Sequence, residues 1–340
     1  MELSQEIQSR IDEWTKVPYS QECIDEIESL VDQEDVKELH ERFGAELNFG
    51  TGGLRGLIRN GTNGMNIFVV AKATQGLANY VIKSKGEGAK AAVACDSRRY
   101  SMEFAKMTAQ VLASNGIKTY IFKEMRPTPE LSFAVRHFGC TTGIVITASH
   151  NPKEYNGYKV YWDDGAQIIN PHDKLIIEEV RNIGKLDDVK QKDFSELEKE
   201  GLIEWIGEEI DNAYIEEILK LNINTDEISK SDMKIVFTPL HGTGGTVIPD
   251  ALNRLGLKNI IYVEEQMKAD SNFSTVKKPN PEEKEALAMA IDLAENENAD
   301  LVIATDPDAD RVGIAVKTKS GEFQVLSGNH IGSIIEYYML

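Results

Sequence analysis

Apolar residues recur along most of the chain at helical spacing, and these stretches alternate with short runs that are apolar throughout. The elements predicted from residue 66 onward are a helix over 67–84, a strand over 91–95, a helix over 101–115, a strand over 117–122, a helix over 129–138 and a strand over 143–147. This alternation is typical of a mainly parallel sheet with helical crossovers. We therefore expect an α/β domain here.

A second stretch has a similar order of elements. It is predicted to contain a helix over 208–221, a strand over 234–237, a helix over 246–255, a strand over 259–263, a helix over 282–296 and strands over 300–304 and 311–317. The polar segment 184–204 between the two stretches is interpreted as a linker. The shared order hints at an internal structural duplication, although no repeat of individual residues proves it.

The N-terminal part has a different pattern, in which apolar residues such as Ile7, Ile11 and Trp14 lie at helical spacing among polar ones. It predicts helices that lie on a larger body. The final predicted helix has no terminating signal before Leu340, so we expect the polypeptide to be truncated there. The domains are predicted as a helical extension over 1–45, a first domain over 46–205, a second over 206–322 and the beginning of a third over 323–340.

Composition narrows the class of protein. The 340 residues include 37 Lys and Arg against 56 Asp and Glu, for a formal net charge of -19. Such a field repels nucleic acid and anionic membranes, so neither is expected as a partner. No signal-peptide pattern or apolar run of about 18 residues is present. The three cysteines, Cys23, Cys95 and Cys140, lack metal or redox spacing, which suits a cytoplasmic protein.

A serine follows one of the predicted buried strands. Residues 147–152 read Thr-Ala-Ser-His-Asn-Pro directly after the apolar run 143–146, which places Ser149 at a strand's carboxyl end. Open α/β sheets bind their ligands at that edge. An ordinary polar turn is an alternative for the serine in isolation. A hydrolase nucleophile elbow is disfavoured, because Thr147 and Asn151 stand where that motif has glycines.

Three aspartates, Asp306, Asp308 and Asp310, follow another apolar strand. Carboxylates so close together repel one another unless a cation is present, and an all-oxygen set suits Mg²⁺. An EF-hand is excluded, because Arg311 and Lys317 occupy the positions that need glycine and glutamate. A solvated acidic turn is the alternative. Together with the serine, the aspartates suggest a phosphoryl-carrying serine beside a divalent metal.

Because the net charge repels phosphates at long range, any phosphate site must gather local cations. The candidates are Arg55, Lys159 and Arg311. Arg55 lies in the glycine-rich stretch 50–56, which is expected to be a loop that approaches a ligand, and its guanidinium suits bidentate phosphate contact. This stretch is not a P-loop, because it lacks the Gly-Lys-Ser/Thr ending. Lys159 could alternatively be a surface strand lysine.

The combination of these motifs closely resembles the α-D-phosphohexomutases, a superfamily that contains phosphoglucomutases, phosphomannomutases and phosphopentomutases. The resemblance runs from about residue 45 to the end. It is carried by Thr147-Ala148-Ser149-His150-Asn151-Pro152, Asn156-Gly157-Tyr158-Lys159, Asp306-Pro307-Asp308-Ala309-Asp310-Arg311, Gly50-Thr51-Gly52-Gly53-Leu54-Arg55, Asp96-Ser97-Arg98, Pro127-Thr128-Pro129 and Pro279-Asn280-Pro281-Glu282.

The resemblance implies two similar, mixed and mainly parallel α/β domains of phosphohexomutase type, plus the start of a third. It also implies that Ser149 carries a phosphoryl group, with glucose 1,6-bisphosphate as activator. The implied metal ligands of Mg²⁺ are Asp306, Asp308, Asp310 and an oxygen of the phosphorylated serine. The other implied roles are phosphate stabilisation by Arg55 and Arg311, acid/base chemistry by Lys159 and orientation of the serine loop by His150.

The expected reaction is interconversion of glucose 1-phosphate and glucose 6-phosphate. The N-terminal extension and the Thr51-Gly52-Gly53 variant resemble the larger phosphoglucomutase and phosphopentomutase branch more than the compact phosphomannomutases. Phosphopentomutase activity is therefore the next alternative, and phosphomannomutase activity the other. By the same resemblance, domains three and four are expected on the full-length chain, and this chain alone is expected to turn over poorly. From another class, a non-catalytic module that binds phosphoserine and Mg²⁺ stays open, and a metal-dependent phosphatase is a weaker rival.

Overall fold

The computed structural model describes residues 3–50 and 52–340. The chain opens with three helices, α1 (Gln5–Trp14), α2 (Gln21–Asp32) and α3 (Val36–Phe43). Each begins at a polar N-cap, Ser4, Ser20 or Asp35, whose side chain accepts a hydrogen bond from a backbone N–H of the first turn. Their apolar faces form one core, in which Trp14 packs edge-on to Phe68 of the following domain. The extension therefore lies on the larger body, as predicted.

The first sheet is central to the following unit. Within the described residues it has six strands in the spatial order β1-β5-β4-β2-β3-β6. Strands β2, β3, β4 and β6 run parallel, whereas β5 is antiparallel to β4 and β1 is antiparallel to β5. The strands are β1 (Gly53–Leu57), β2 (Lys90–Cys95), β3 (Lys118–Phe122), β4 (Thr142–Ile146), β5 (Tyr155–Trp162) and β6 (Ile203–Ile206).

Helices cover both faces of this sheet, which is why its central strands are apolar throughout. The helices are α4 (Ile67–Lys85), α5 (Ser101–Ser114), α6 (Thr128–His137), α7 (His172–Arg181) and α8 (Phe194–Lys199). Helices α4 and α5 share a core with one face of the sheet, and α6 shares a second core with the other face. The predicted helices and strands between 67 and 147 are confirmed to within about two residues.

Two sequence interpretations in this unit were wrong. The glycine-rich stretch is not only a loop, because Gly53–Leu57 forms an edge strand antiparallel to β5. The segment 184–204 is not a simple linker, since it contains a 3₁₀ turn (Leu186–Asp188), helix α8 and the start of β6. Its few apolar residues bury themselves against the first domain, and Leu197 is fully buried. Thr51 lies outside the described residues.

The second unit contains a five-stranded sheet in the order β11-β10-β9-β7-β8, counted over the residues described. Strands β7, β8 and β9 are parallel, and β10 and β11 continue the sheet in antiparallel pairs. The strands are β7 (Ile235–Thr238), β8 (Ile260–Tyr262), β9 (Leu301–Thr305), β10 (Val312–Lys317) and β11 (Phe323–Leu326). Strand β11 thus carries the sheet past residue 322, where a domain boundary was expected.

The helices of this second part are α9 (Glu208–Leu219), α10 (Thr225–Lys230), α11 (Gly244–Arg254), α12 (Glu264–Met267), α13 (Lys284–Asn296) and α14 (Gly328–Met339). Helix α13 packs its apolar face, including Leu287 and Ile291, against the sheet. In the part of the chain that the structure describes, no helix is both long and apolar enough to cross a membrane. The predicted fold class, two mixed α/β domains, is confirmed.

Candidate active site at the junction of the two sheets

The Ser149 turn follows β4 at the carboxyl edge of the first sheet. Ser149 is 2% exposed, and its backbone has a left-handed φ of 53°. A non-glycine residue in this region stores strain of about 1 to 3 kcal/mol, which the surroundings must hold. The Ser149 N–H donates to Thr147 Oγ1 at 2.8 Å, and its hydroxyl donates to Asp306 Oδ2 at 2.7 Å. The turn is thereby fixed from both sheets.

Arg98, for which no role was predicted from the sequence, supports this turn. Its side chain is fully buried. The guanidinium donates hydrogen bonds of 2.5 to 3.0 Å to the carbonyls of Ser149, Asn151, Pro152 and Tyr155. A planar guanidinium has five N–H donors in a fixed arrangement, so it can bind several carbonyls at once and set their relative positions.

Asp96 supports both Arg98 and the serine turn. Its Oδ2 accepts a hydrogen bond from Thr147 Oγ1 at 2.6 Å, while Oδ1 accepts from Ser101 Oγ at 2.8 Å and from the Arg98 N–H at 2.9 Å. Burial raises the pKa of Asp96, and the charge of Arg98 opposes that rise. The charged pair directly after the buried strand β2 is the sequence signal that could have identified this support.

The three aspartates lie on the turn between β9 and β10. One carboxylate oxygen from each of Asp306, Asp308 and Asp310 lies within 4.8 Å of the others. Asp306 and Asp308 are fully buried, and Asp310 is exposed. Burial, followed by the charges of Asp308 and Asp310, raises the pKa of Asp306. This spacing and repulsion indicate a site for a cation.

Lys159 on β5 faces this cluster. Its Nζ donates to Asp308 Oδ2 at 2.6 Å and to Asp310 Oδ2 at 2.8 Å. Burial would raise the pKa of Asp308, but the Lys159 ammonium outweighs it and lowers that pKa. Burial likewise opposes the Lys159 charge, but Asp308 and Asp310 raise the pKa of this lysine overall. Lys159 is therefore protonated in this arrangement.

The residues present fit a divalent cation. Asp308 Oδ2 takes part in hydrogen bonds, whereas the buried Asp308 Oδ1 has no hydrogen-bond partner among the described residues. A buried carboxylate oxygen without a partner is unfavourable unless something else binds it. The donor set consists of carboxylate oxygens, which suits Mg²⁺ better than a softer metal.

The remaining predicted site residues lie around the serine. His150 Nδ1 is 3.2 Å from Ser149 Oγ, and burial, followed by the charges of Arg311 and Arg55, lowers the pKa of His150. Arg55 is exposed on β1, and its Nη1 donates to Asn151 Oδ1 at 3.2 Å. Arg311 is also exposed, and its backbone N–H donates to Asp306 Oδ1 at 3.1 Å. The fold brings all of the predicted site residues to one place.

Comparison with known families gives two matches. Residues 46–187 match the model of phosphoglucomutase/phosphomannomutase alpha/beta/alpha domain I, and residues 212–321 match the model of domain II. The two matched segments contain the serine turn and the aspartate turn respectively. They leave the N-terminal helices outside.

Similar curated proteins have related names. The chain is 38% identical to a phosphoglucomutase of Staphylococcus haemolyticus over 97% of its own length and 58% of the relative's. It is 39% identical to a phosphoribomutase of Saccharomyces cerevisiae, covering 96% of this chain and 54% of that one. A human phosphopentomutase is 36% identical over 96% of this chain and 55% of its own length. The chain therefore spans little more than half the length of the curated relatives it matches.

Solved structures agree on the fold. A protein of Thermus thermophilus named as a phosphomannomutase superposes with a TM-score of 0.69 at 26% identity, covering 82% of this chain and 58% of that one. A phosphoglucomutase/phosphomannomutase family protein of Burkholderia thailandensis gives a TM-score of 0.64 at 22% identity, covering 82% and 55%. With two domain models matched in order and relatives of this similarity, the chain belongs to the phosphoglucomutase/phosphomannomutase family.

Proposed function

We propose that this chain carries the phosphoryl-transfer half of a sugar-phosphate mutase that interconverts glucose 1-phosphate and glucose 6-phosphate. The observation that carries the proposal is the 2.7 Å hydrogen bond from the Ser149 hydroxyl to Asp306. It places a buried serine, with its turn held by Arg98, directly against a carboxylate cluster that fits a divalent cation. Phosphoryl transfer depends on such positioning and charge neutralisation more than on covalent activation.

The proposed reaction has two symmetric transfers. In the first, the free hydroxyl oxygen of a hexose monophosphate attacks the phosphorus on phosphorylated Ser149. The bond from phosphorus to the serine oxygen breaks, the attacking hydroxyl loses its proton and the serine oxygen regains one, giving glucose 1,6-bisphosphate. After the bisphosphate has reoriented, the Ser149 oxygen attacks its other phosphate by the reverse steps, which releases the isomeric monophosphate and restores the phosphorylated enzyme.

Asp306, Asp308 and Asp310 would hold Mg²⁺, and the bound ion would neutralise charge on the transferred phosphoryl group. Ser149 lies close enough to Asp306 for its phosphate to meet such an ion. The same carboxylates repel an unaccompanied phosphate, because three negative charges face it at short range. This chain therefore needs local cations at the site for anionic substrates to approach.

The cations around the serine have separate proposed roles. Arg55 and Arg311 are exposed beside the turn, where they can bind phosphate oxygens of an incoming substrate. Lys159 faces the aspartates from β5 and is the proposed acid/base partner at the reacting hydroxyl; it is protonated beside Asp308 and Asp310, so it can donate a proton as it stands and can accept one only after it has given up its own. His150, whose pKa is lowered, is neutral at neutral pH and is proposed to orient the serine through its 3.2 Å contact with Oγ.

The N-terminal extension favours the phosphoglucomutase and phosphopentomutase branch as a whole, and the choice of glucose within it follows from the phosphoglucomutase names among the relatives. Phosphopentomutase activity is the second candidate, because similar proteins of yeast and human carry the names phosphoribomutase and phosphopentomutase. Since this chain spans little more than half of those relatives, groups that bind the sugar and its non-reacting phosphate are proposed to lie in domains beyond these two.

A cytoplasmic location, suggested by the three free cysteines, is part of the same proposal.

The test separates the half-reaction from full turnover. The chain is first phosphorylated with glucose 1,6-bisphosphate and Mg²⁺, freed of ligand, and then mixed with glucose 1-phosphate or ribose 1-phosphate. The proposal predicts loss of the protein-bound phosphoryl group with formation of the matching sugar bisphosphate, and the preference for glucose over ribose is tested by comparing turnover of the two esters by the full-length enzyme. Release of inorganic phosphate instead would indicate a phosphatase, and retention of the phosphoryl group with both sugars would indicate a non-catalytic module. The Ser149→Ala variant is the control for phosphorylation elsewhere.

A further inference from the structure

Besides the serine turn and β5, a third segment of the first domain contacts the aspartate turn. Thr128, at the start of α6, donates its backbone N–H to the Asp308 carbonyl at 2.8 Å. Its hydroxyl donates to Asp308 Oδ2 at 2.9 Å, across 180 residues of sequence. Thr128 and Asp308 are both buried, so water does not compete for these bonds.

The two hydrogen bonds act on different parts of Asp308. The backbone bond fixes the position of the residue, and the hydroxyl bond fixes the rotation of its carboxylate. Because Oδ2 accepts from both Thr128 and Lys159, Oδ1 is the oxygen without a partner among the described residues. Without the threonine hydroxyl, the carboxylate would be held by Lys159 alone and could turn about its last bond.

Thr128 is itself held firmly. It lies between Pro127 and Pro129, whose rings restrict the backbone. The preceding Arg126 donates its N–H to the Cys95 carbonyl at the end of β2, at 3.1 Å. The Arg126 guanidinium also donates two bonds of 2.8 Å to the carboxylate of Asp211 on α9. The segment is thus anchored to both β2 and α9 and can act as a rigid support.

We propose that Thr128 is a positioning residue, which orients the Asp308 carboxylate so that Oδ1 stays available to the divalent cation. The inference rests on the proposed function, since it assumes that the aspartates bind a metal. Groups that hydrogen-bond to metal ligands fix the orientation of those ligands, and their removal commonly weakens metal binding tenfold to a hundredfold. Thr128 would therefore act on catalysis only through Asp308.

The experiment measures Mn²⁺ binding to the whole chain by calorimetry, with Mn²⁺ as the probe for the site. Thr128→Val keeps the shape of the side chain and the backbone bond to Asp308 but removes the hydroxyl. It should raise the Kd for Mn²⁺ by about tenfold or more. Thr128→Ser restores the hydroxyl and should bind Mn²⁺ as the unsubstituted chain does.

A matched control is Thr142→Val, because Thr142 is also buried and its hydroxyl donates to the Tyr161 carbonyl at 2.8 Å on β5, without touching an aspartate. Both valine variants should lower the melting temperature in EDTA, but only Thr128→Val should weaken Mn²⁺ binding. An unchanged Kd in Thr128→Val, equal weakening in Thr142→Val, or failure of Thr128→Ser to restore binding would each overturn the inference while leaving the proposed function intact. A chain that binds no Mn²⁺ at all would overturn both.

Discussion

The Ser149 hydroxyl donates a 2.7 Å hydrogen bond to Asp306 Oδ2, although the two residues are 157 positions apart in the sequence. Each lies at the carboxyl end of a strand, Ser149 after β4 of the first sheet and Asp306 after β9 of the second. The bond therefore joins the two sheets at the edges where α/β folds place ligands. The geometry of this bond depends on the residues that support each turn, such as Arg98 at the serine turn and Lys159 at the aspartates.

The first prediction concerns Arg98. Arg98→Lys should lower the free energy of unfolding by about 1 to 3 kcal/mol, because an ammonium has three donors and must leave some of the four buried carbonyls unpaired. It should also slow phosphorylation of Ser149 by glucose 1,6-bisphosphate, because the serine turn loses its fixed geometry. Urea denaturation and intact-protein mass spectrometry measure the two effects. The exposed neighbour gives the control: Arg99→Lys should change stability by no more than about 0.5 kcal/mol. Equal stability of the two variants would show that Arg98 does not hold the turn.

The second prediction concerns Lys159 and the aspartates. Lys159→Met should lower the melting temperature in EDTA, because Asp308 and Asp310 lose the cation that pairs with them. The same variant should gain more melting temperature from added Mg²⁺ than the unsubstituted chain does, because no ammonium competes with the ion. Thermal melts with and without Mg²⁺ give both values, and Lys118→Met, at an exposed pair with Glu204, is the control. If Mg²⁺ stabilised both proteins equally, Lys159 and the metal would not share the same carboxylates.

The third prediction is a pH dependence of stability that arises from Glu130. Burial, together with the nearby Asp211, raises the pKa of Glu130 from 4.5 to about 9. Between these values the folded state binds one proton that the unfolded state has released, so stability falls as pH rises, by at most about 1.4 kcal/mol per pH unit. The contribution of protonated Glu130 to folding stability is fully present below pH 4.5 and is lost as pH passes 9.

Glu130→Gln tests this, because glutamine does not titrate. The stability of the variant relative to the unsubstituted chain should increase steadily as urea denaturation is repeated from about pH 5 to about pH 8, within the interval between the two pKa values. Glu124→Gln, at a side chain that is 77% exposed, should show no such trend. A constant difference between Glu130→Gln and the unsubstituted chain across this range would contradict the raised pKa.

The fourth prediction concerns the edge strand that carries Arg55. Gly53 has a φ of 142°, and a Cβ there would lie 1.8 Å from the Tyr158 carbonyl oxygen on β5. Gly53→Ala should therefore destabilise the fold by more than about 3 kcal/mol, the upper range for an ordinary substitution. Gly116→Ala separates the steric clash from the backbone strain. Gly116 also has a positive φ, of 82°, but no atom lies within 4 Å of the added Cβ. Gly116→Ala should lower the free energy of unfolding by only about 1 kcal/mol, through backbone strain. Equal losses would mean that β1 does not pack this closely on β5.

Much of the fold could be predicted from the sequence, because the central strands are apolar throughout and the helices between them have a regular apolar face. Prediction failed for strands without that pattern. Gly53 must be glycine because the neighbouring strand β5 approaches closely, and this closeness cannot be known before the partner strand is known. Strand β6 lies at a sheet edge inside a polar segment, so its four residues carry little periodicity.

The residues of the candidate site likewise divide into those that could be predicted from the sequence and those that could not. Ser149, Lys159 and the aspartates could be identified because their chemistry is unusual at a strand end, and the resemblance to a known family grouped them. The roles of Arg98 and Thr128 depend on hydrogen bonds to backbone carbonyls and to residues far away in the sequence. The charged pair Asp96 and Arg98 after β2 is a local signal that something is supported there, but not of what. The partners become apparent only in the folded structure, within the first domain for Arg98 and between the two sheets for Thr128.

The most direct test of the central claim is peptide mass spectrometry after the chain has been treated with glucose 1,6-bisphosphate and Mg²⁺. We predict one phosphoryl group per chain, located on Ser149 and absent from the nearby Ser97 and Ser101. EDTA should prevent its formation, and Ser149→Ala should abolish it. A chain that stays unmodified under these conditions, or that carries the phosphoryl group on another residue, would contradict the assignment of Ser149 as the phosphoryl carrier.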